Sequence, residues 1–298
     1  MKTKALDIKK VLIPIDFSET SLLAIEHGAF MAKLYKADVV LVHVVEHSWQ
    51  KFSIVAPEIK FELPENILSI AEAKLKEVAS KIRKDYGVTA TAISSEGNIC
   101  AEIIELVKIE KADIIVMGTQ GASGLQEVFM GSNSYKVVTL ANCPVLTVQS
   151  HSRRIGFSEI LLPIDNSGHS RQKVGYTVEL AKHYGSRIHI LGLLDDGDAQ
   201  DLEKFKIKIQ QVKDFVEKCE IPSVVDIQVG GNQAKNTIDY AKKHNAELIV
   251  IMTDQEENFT GSFLGPYAQQ VVNHSWVPVL SFKPVENPEN ISWTYPYN

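Results

Sequence analysis

The chain contains two copies of one unit, and this duplication limits what it can fold into more than any other feature. Ile13-Pro14-Ile15-Asp16 returns as Leu162-Pro163-Ile164-Asp165, and Ala32-Lys33-Leu34-Tyr35 returns as Ala181-Lys182-His183-Tyr184. Further along, Gly97-Asn98 matches Gly231-Asn232, and Phe129-Met130-Gly131 matches Phe263-Leu264-Gly265. Cys143-Pro144-Val145-Leu146 matches Val277-Pro278-Val279-Leu280. The copies stand 149 residues apart at Asp16 and Asp165 but 134 apart at Gly131 and Gly265, so the second is 15 residues shorter. The loss falls between its second strand and the Gly-Asn turn. Register held at five places is not chance similarity. With 298 residues in all, each copy has enough chain for its own core.

Within a copy, strands and helices alternate. The run from Lys10 to Ile15 is almost continuously apolar, as in a parallel strand buried on both faces. Asp16 to Thr20 supplies N-cap chemistry for a helix that buries Leu22, Ile25, Ala29 and Ala32. A second strand spans Val39 to Val44. The stretch from Glu65 to Tyr86 carries a helical stripe of Ile67, Ile70, Ala71, Leu75, Val78 and Ile82, ending near Gly87. Thr89 to Ser94 reads as a strand, Ile99 to Glu110 as a helix, Ile114 to Met117 as a strand, Ser132 to Leu140 as a helix and Pro144 to Gln149 as the last strand. Such alternation implies a parallel sheet with helices on both faces. The division expected is a first domain over residues 1–150, a second over 157–283 and an extended or disordered tail over 284–298. Residues 46–64 read as a long surface loop.

Composition removes several function classes. A formal charge of -6 and a pI near 5.9, with dispersed basic residues, do not make a nucleic-acid-binding face. Three cysteines with no C-x-x-C pair suit a reducing compartment and give neither a disulfide framework nor a zinc site. The longest apolar runs are strand length, far short of a membrane span, and the charged start followed by Val11 to Ile15 is too short for a secretory core. The expectation is a cytoplasmic protein. His43 and His47 stand four apart, but on a strand and beyond it, so helical metal-ligand geometry does not apply.

The chemistry concentrates after the fourth strand. Met117-Gly118-Thr119-Gln120-Gly121 is followed, after nine residues, by Gly131-Ser132-Asn133-Ser134. Glycines let backbone N–H groups approach an anion, and Gly-Ser at a helix start adds the helix N-terminus and a hydroxyl. Gly118, Gly121 and Gly131 are also ordinary turn residues. Their place at the carboxyl end of a parallel strand, where open sheets bind ligands, favours phosphate. The segment lacks the Gly-Lys-Ser/Thr of a Walker motif and has no lysine or arginine between Gly118 and Ser134. Phosphate charge therefore falls to N–H groups, the helix end and a divalent cation. No residue there is an evident hydrolytic base, which favours binding over turnover. For Asp16, a helix-capping role and a ligand contact stand level.

Ile13 to Thr20, His43-Val44 and the Gly-x2-Gly-x9-Gly-Ser run together resemble the universal stress protein family, and the duplication is similar to its tandem-domain members. The resemblance covers nearly the whole chain. It implies two tandem open five-stranded parallel α/β domains of Rossmann-like, adenine-nucleotide-binding type, arranged as a pseudo-dimer. It further implies ATP, or AMP or ADP, with Mg2+ as the ligand. Ile15 and Asp16 would lie beside the adenosine, with Val44 against the adenine. Met117 and Gly118 would line the ribose and phosphate entrance, and Gly121, Gly131, Ser132, Asn133 and Ser134 would hold the phosphates.

The second copy departs from that pattern. Gly118 becomes Met252, Gly121 becomes Gln255 and Ser132 becomes Pro266, while Gly265 survives. Proline removes an anion donor, and Asp254, Glu256 and Glu257 add negative charge. The expectation is a non-enzymatic stress-response regulator or interaction protein that binds nucleotide in its first copy. The alternatives are a nucleotide-independent, chaperone-like interaction protein and a slow ATPase. The partners expected are an adenine nucleotide and proteins, with no nucleic acid and no membrane. The two final strands should pair inside the chain, positions 147 and 281 facing, with a homodimer of whole chains left open.

Overall fold

The computed structural model describes residues 6–46, 67–119, 130–253, 255–258 and 261–284. The loop read over 46–64 and the tail over 284–298 therefore lie almost wholly outside the described residues, as do Gly121 and His47. In the first copy the elements are β1 (Lys10–Pro14), α1 (Glu19–Tyr35), β2 (Asp38–Glu46), α2 (Ile67–Tyr86), β3 (Ala90–Gly97), α3 (Ile99–Glu110), β4 (Ile114–Gly118), α4 (Ser132–Leu140) and β5 (Val145–Val148). The second copy repeats the order as β6 (Glu159–Ile164), α5 (Val174–Tyr184), β7 (Arg187–Leu194), α6 (Ala199–Lys218), β8 (Ser223–Val229), α7 (Gln233–Lys243), β9 (Leu248–Met252), α8 (Pro266–His274) and β12 (Val279–Phe282). Between β9 and α8, β10 (Gln255–Asn258) and β11 (Gly261–Leu264) form an antiparallel hairpin that the sequence pattern did not announce.

The two five-stranded halves join into one sheet of order β3-β2-β1-β4-β5-β12-β9-β6-β7-β8. Pairing is parallel throughout each half and antiparallel only at the β5–β12 seam. Leu146 pairs with Leu280, its own counterpart, so a pseudo-two-fold axis passes through that pair. The expected juxtaposition of 147 with 281 is off by two residues: an antiparallel register about this axis sets Thr147 opposite Val279 and Ser281 opposite Val145.

One face of the sheet carries a single core that crosses the seam. It unites Ile25, Ala29, Leu75 and Ile82 of the first copy with Val178, Ile209 and Val216 of the second, through Leu146 and Leu280. The opposite face is divided, with α3 and α4 covering the first half and α7 and α8 the second. Two residues expected inside are exposed. Leu22 is 47% exposed, on the lip of a groove between α1 and α2. Ile70 is 58% exposed, one residue around the helix from the buried stripe of Ala71, Leu75, Ala79 and Ile82. A helix laid over the flank of a sheet buries only a narrow stripe.

The α1–α5 side of the seam is closed by a buried histidine. The His27 ring stacks 5.6 Å from Phe157 at an interplanar angle of 13°, and Nε2 lies 2.9 Å from the Ser152 carbonyl. A carbonyl only accepts, so Nε2 carries the proton. Burial pushes the imidazole below its ordinary pKa, against the upward pull of the Ser152 bond and the Glu26 carboxylate. The unfolded chain therefore takes up this proton first as pH falls below about 6.5. The stability His27 contributes is intact above that pH and is lost as pH drops through the folded-state value. The urea midpoint of the native chain should fall more steeply between about pH 7 and pH 5 than that of His27→Gln, which keeps a donor for Ser152 without a titrating group. Parallel profiles would remove His27 from the acid response.

Candidate functional site

β1 pairs with β2 on one side and β4 on the other, so the crossovers from the carboxyl end of β1 diverge there. A cleft opens at this switch point, as it does in open parallel sheets generally. Its walls are Pro14, Ile15, Asp16 and Ser21 from the β1–α1 turn, Val42 and Val44 from β2, and Ile99 and Ile103 from α3. Met117 and Gly118 end β4, and Gly131, Ser132, Asn133 and Ser134 open α4. Nine of the ten residues singled out from sequence thus line one cleft, and the tenth, Gly121, lies outside the described residues. Sequence reading missed Pro14, Ser21, Val42, Ile99 and Ile103. Ser21 was findable, since Ser170 stands in the same place in the second copy, and Ile99 and Ile103 share an i,i+4 face.

The helix starts differ in a way that matters for anions. α1, α3, α6 and α7 begin with side-chain caps from Ser18, Asn98, Asp198 and Asn232. α4 begins at Gly131, with φ -59° and ψ 150° and no side-chain cap. Its first-turn N–H groups have no acceptor within the helix. The Ser134 hydroxyl donates to the Gly118 carbonyl at 3.0 Å, and Gly131 N–H donates to the Thr119 carbonyl at 2.7 Å. Those two bonds moor the helix start to the end of β4. They also commit the Ser134 hydroxyl proton to the fold, leaving backbone N–H as that residue's donor toward the cleft.

Asp16 is not the helix cap. Its Oδ1 accepts from Ser18 N–H at 3.0 Å and from the Ser18 hydroxyl at 2.5 Å, while Ser18 Oγ accepts from Ser21 N–H at 3.3 Å. Three residues, Ile15, Asp16 and Phe17, separate β1 from the cap, so Asp16 shapes the turn while Ser18 ends it. The Asp16 side chain stays exposed on the rim of the cleft. His43 is a strand residue held by its backbone neighbour, with Nδ1–H donating to the Ile15 carbonyl at 2.7 Å.

Gly118 has a packing reason to be glycine. A Cβ there would lie 2.7 Å from Thr20 Oγ1 and 2.8 Å from the Thr20 carbonyl carbon, inside the first turn of α1. Gly131 is under no such pressure, its nearest obstacle being the Thr119 oxygen at 3.5 Å. In the second copy Met252 replaces Gly118 and is 5% exposed. The corresponding first turn is a 3-10 segment, Ser170–Lys173, and the α-helix waits until Val174. Lys173 stands where the first copy has Ala24, is buried, and donates to the Ser170 carbonyl at 2.7 Å. Gln255 belongs to the β10–β11 hairpin, and Pro266 opens α8 behind Gly265.

The capping-glycine regions of the two copies interlock. Met130 N–H donates to Asn273 Oδ1 of α8 at 3.3 Å, and Leu264 N–H donates to the Tyr135 hydroxyl of α4 at 3.3 Å. Leu264 is buried in the core beneath α3 and α4 of the opposite copy. Among the described residues there is no cluster of potential metal ligands and no helix long and apolar enough to cross a membrane. Cys143, at the start of β5, is pushed up to about 12 by burial.

The sequence pattern described as the Universal stress protein family matches twice, over residues 7–149 and 156–283. The chain belongs to the universal stress protein family. Its two matches make it a tandem universal stress protein. It is similar to universal stress protein MJ0531 of Methanocaldococcus jannaschii, 36% identical over 141 residues that cover 47% of this chain and 82% of that protein. A universal stress protein of Mycolicibacterium smegmatis matches end to end, 24% identical over 289 residues, 92% of this chain and 97% of the relative. The solved structure of a universal stress protein from Archaeoglobus fulgidus shares the fold, with a TM-score of 0.71 at 23% identity, covering 92% of this chain and 98% of that one.

The two glycines separate by experiment. Gly118→Ala should destabilise this universal stress protein by about 1–3 kcal/mol, since Thr20 backbone must move. Gly131→Ala should cost under about 1 kcal/mol, the loss of a good N-cap residue alone. Urea unfolding of both variants measures the difference, and equal costs would contradict the packing role of Gly118.

Proposed function

We propose that the first copy, residues 1–150, binds an adenine nucleotide, ATP or its AMP and ADP relatives, and that the second copy, residues 157–283, serves as its built-in structural partner. The observation that carries this reading is the uncapped start of α4 lining the same cleft as an apolar slot. Val42, Val44, Ile99, Ile103 and Met117 offer a flat base and its ribose a nonpolar bed. The N–H groups of Ser132, Asn133 and Ser134, at the positive end of the helix dipole, suit phosphate oxygens. The described walls hold no lysine or arginine, so a divalent cation such as Mg2+ would carry the remaining charge compensation, with Asp16 at the rim as the nearest carboxylate. The family and the cleft support a stress-response regulator or interaction protein that senses nucleotide.

The second copy supports the confinement to one site. Met252 and Pro266 stand where Gly118 and Ser132 line the first cleft, and the buried ammonium of Lys173 occupies the first turn of the corresponding helix region.

This internal comparison supplies a clean test. Gly265 holds φ -57° and ψ 153° ahead of Pro266, nearly the geometry of Gly131 ahead of Ser132. Ser132→Pro should therefore fold normally, since proline fits the first helical position, while removing one N–H from the cleft. Calorimetry with ATP and Mg2+ should give one site per native chain and roughly tenfold or more weaker binding in Ser132→Pro, the worth of one hydrogen bond to a charged group. Two equivalent sites per chain, or an unaffected variant, would overturn the reading.

A further inference from the structure

Five non-glycine residues among those described have positive φ. Lys36, Lys111, Glu220 and Asn245 all close helices, where the left-handed conformation is routine. Phe17, at φ 63°, does not. It lies in the β1–α1 turn directly after Asp16, and a bulky residue held in that conformation marks a local demand that packing must meet. The ring answers to two neighbours outside the cleft. His43 lies 5.1 Å away between ring centroids, and Lys74 Nζ sits 4.2 Å above the ring centroid. The same His43 donates to the Ile15 carbonyl, so one imidazole touches both sides of Asp16.

The second copy shows what the turn does without this arrangement. Lys208 of α6 is the counterpart of Lys74, each preceding a buried core residue, Ile209 and Leu75. Asn166 replaces Phe17 and stays out of the left-handed region. Lys208 Nζ then reaches the turn itself, donating to the carbonyls of Asp165 at 3.0 Å and Ser167 at 3.3 Å. The Asp165 carboxylate still accepts from Ser167 N–H at 2.7 Å, so the aspartate turn is common to both copies. What differs is the wedge: in the first copy an aromatic ring stands between the helix lysine and the turn, and in the copy with the degenerate cleft it does not.

We propose that Phe17 is a positioning residue of the nucleotide cleft, a wedge clamped by His43 and Lys74 that fixes how Ile15 and Asp16 are presented to the ligand. The assignment rests on the adenine-nucleotide reading above. Phe17 is not a lining residue of the cleft and acts through Ile15 and Asp16, so its effect is on affinity through preorganisation.

Calorimetry with ATP and Mg2+ on the full chain, paired with thermal unfolding, tests it. Phe17→Asn introduces the residue of the second copy, which tolerates positive φ, and should bind ATP about tenfold more weakly, with a lower Tm from the lost ring packing, measured at a temperature where the variant is folded. Phe17→Tyr keeps the ring and should bind within about twofold of the native chain. Lys74→Met, a change at an exposed side chain, should weaken binding by about threefold through loss of the cation over the ring. Native affinity in Phe17→Asn overturns the proposal, and native affinity in Lys74→Met does so should the asparagine variant not fold. Absence of ATP binding by the native chain would instead overturn the nucleotide reading itself, so the two failures are distinct.

Discussion

The antiparallel join of β5 to β12 organises everything else in the molecule. Each half alone would end in a four-residue strand, Val145–Val148 or Val279–Phe282, buried on both faces and carrying unpaired backbone along its outer edge. Such an edge is an invitation to pair with any available strand. Putting both halves on one chain lets each edge satisfy the other, and the Leu146–Leu280 pair fixes the axis about which they do so. With the seam closed, the α1 and α5 sides merge into one core, which is why His27, Phe157 and the Ser152 carbonyl meet in a buried setting. The same axis brings α4 against β11, so Met130 and Leu264 reach Asn273 and Tyr135 of the opposite copies.

Symmetry of frame coexists with asymmetry of chemistry. The two copies keep the Asx-type turn after the first strand, the helix lysine, and the capping glycine before the last helix. They differ where side-chain volume meets the cleft. Gly118 lets the first turn of α1 lie against the end of β4, and the cleft exists beside that close approach. Once methionine stands at this position, the helix start yields to a 3-10 turn and a buried lysine secures it. No residue of β5 or β12 lines the cleft of the first copy, so the substitutions at Met252 and Pro266 leave the pairing of the seam untouched.

Much of this was legible in the sequence, for physical reasons that also explain the failures. α3 and α4 run over the residues their periodicity indicates, Ile99–Glu110 and Ser132–Leu140, because Asn98 and Gly131 mark their starts unambiguously. Parallel strands buried on both faces announce themselves as continuous apolar runs. Burial on the flanking helices was harder: Leu22 and Ile70 obey helical spacing but miss the narrow stripe that faces the sheet. The cap lies at Ser18, two residues beyond Asp16, for which sequence left capping and ligand contact level: both side chains can cap, and only geometry decides between them. The register across the seam failed by two residues because repeat spacing relates equivalent positions, whereas a two-fold axis pairs each position with its reflection about Leu146.

The candidate site shows the same division more sharply. A glycine in a sequence announces that a side chain is unwelcome without saying what excludes it. At Gly118 the excluding object is the backbone of Thr20, and at Gly131 almost nothing in the protein excludes a Cβ. Gly118, read from sequence as part of the ribose and phosphate entrance, is therefore required by the fold, whereas the fold leaves space around Gly131. Phe17 is the converse case. Sequence placed it only in the N-cap stretch from Asp16 to Thr20, while its left-handed backbone and the cation above its ring tie it to the turn that carries Asp16. Where the fold's own packing accounts for a residue, function need not be invoked. Gly131, with open space around it, and Phe17, held in a left-handed backbone, are the two positions near the cleft whose residue type free space and backbone geometry alone do not dictate.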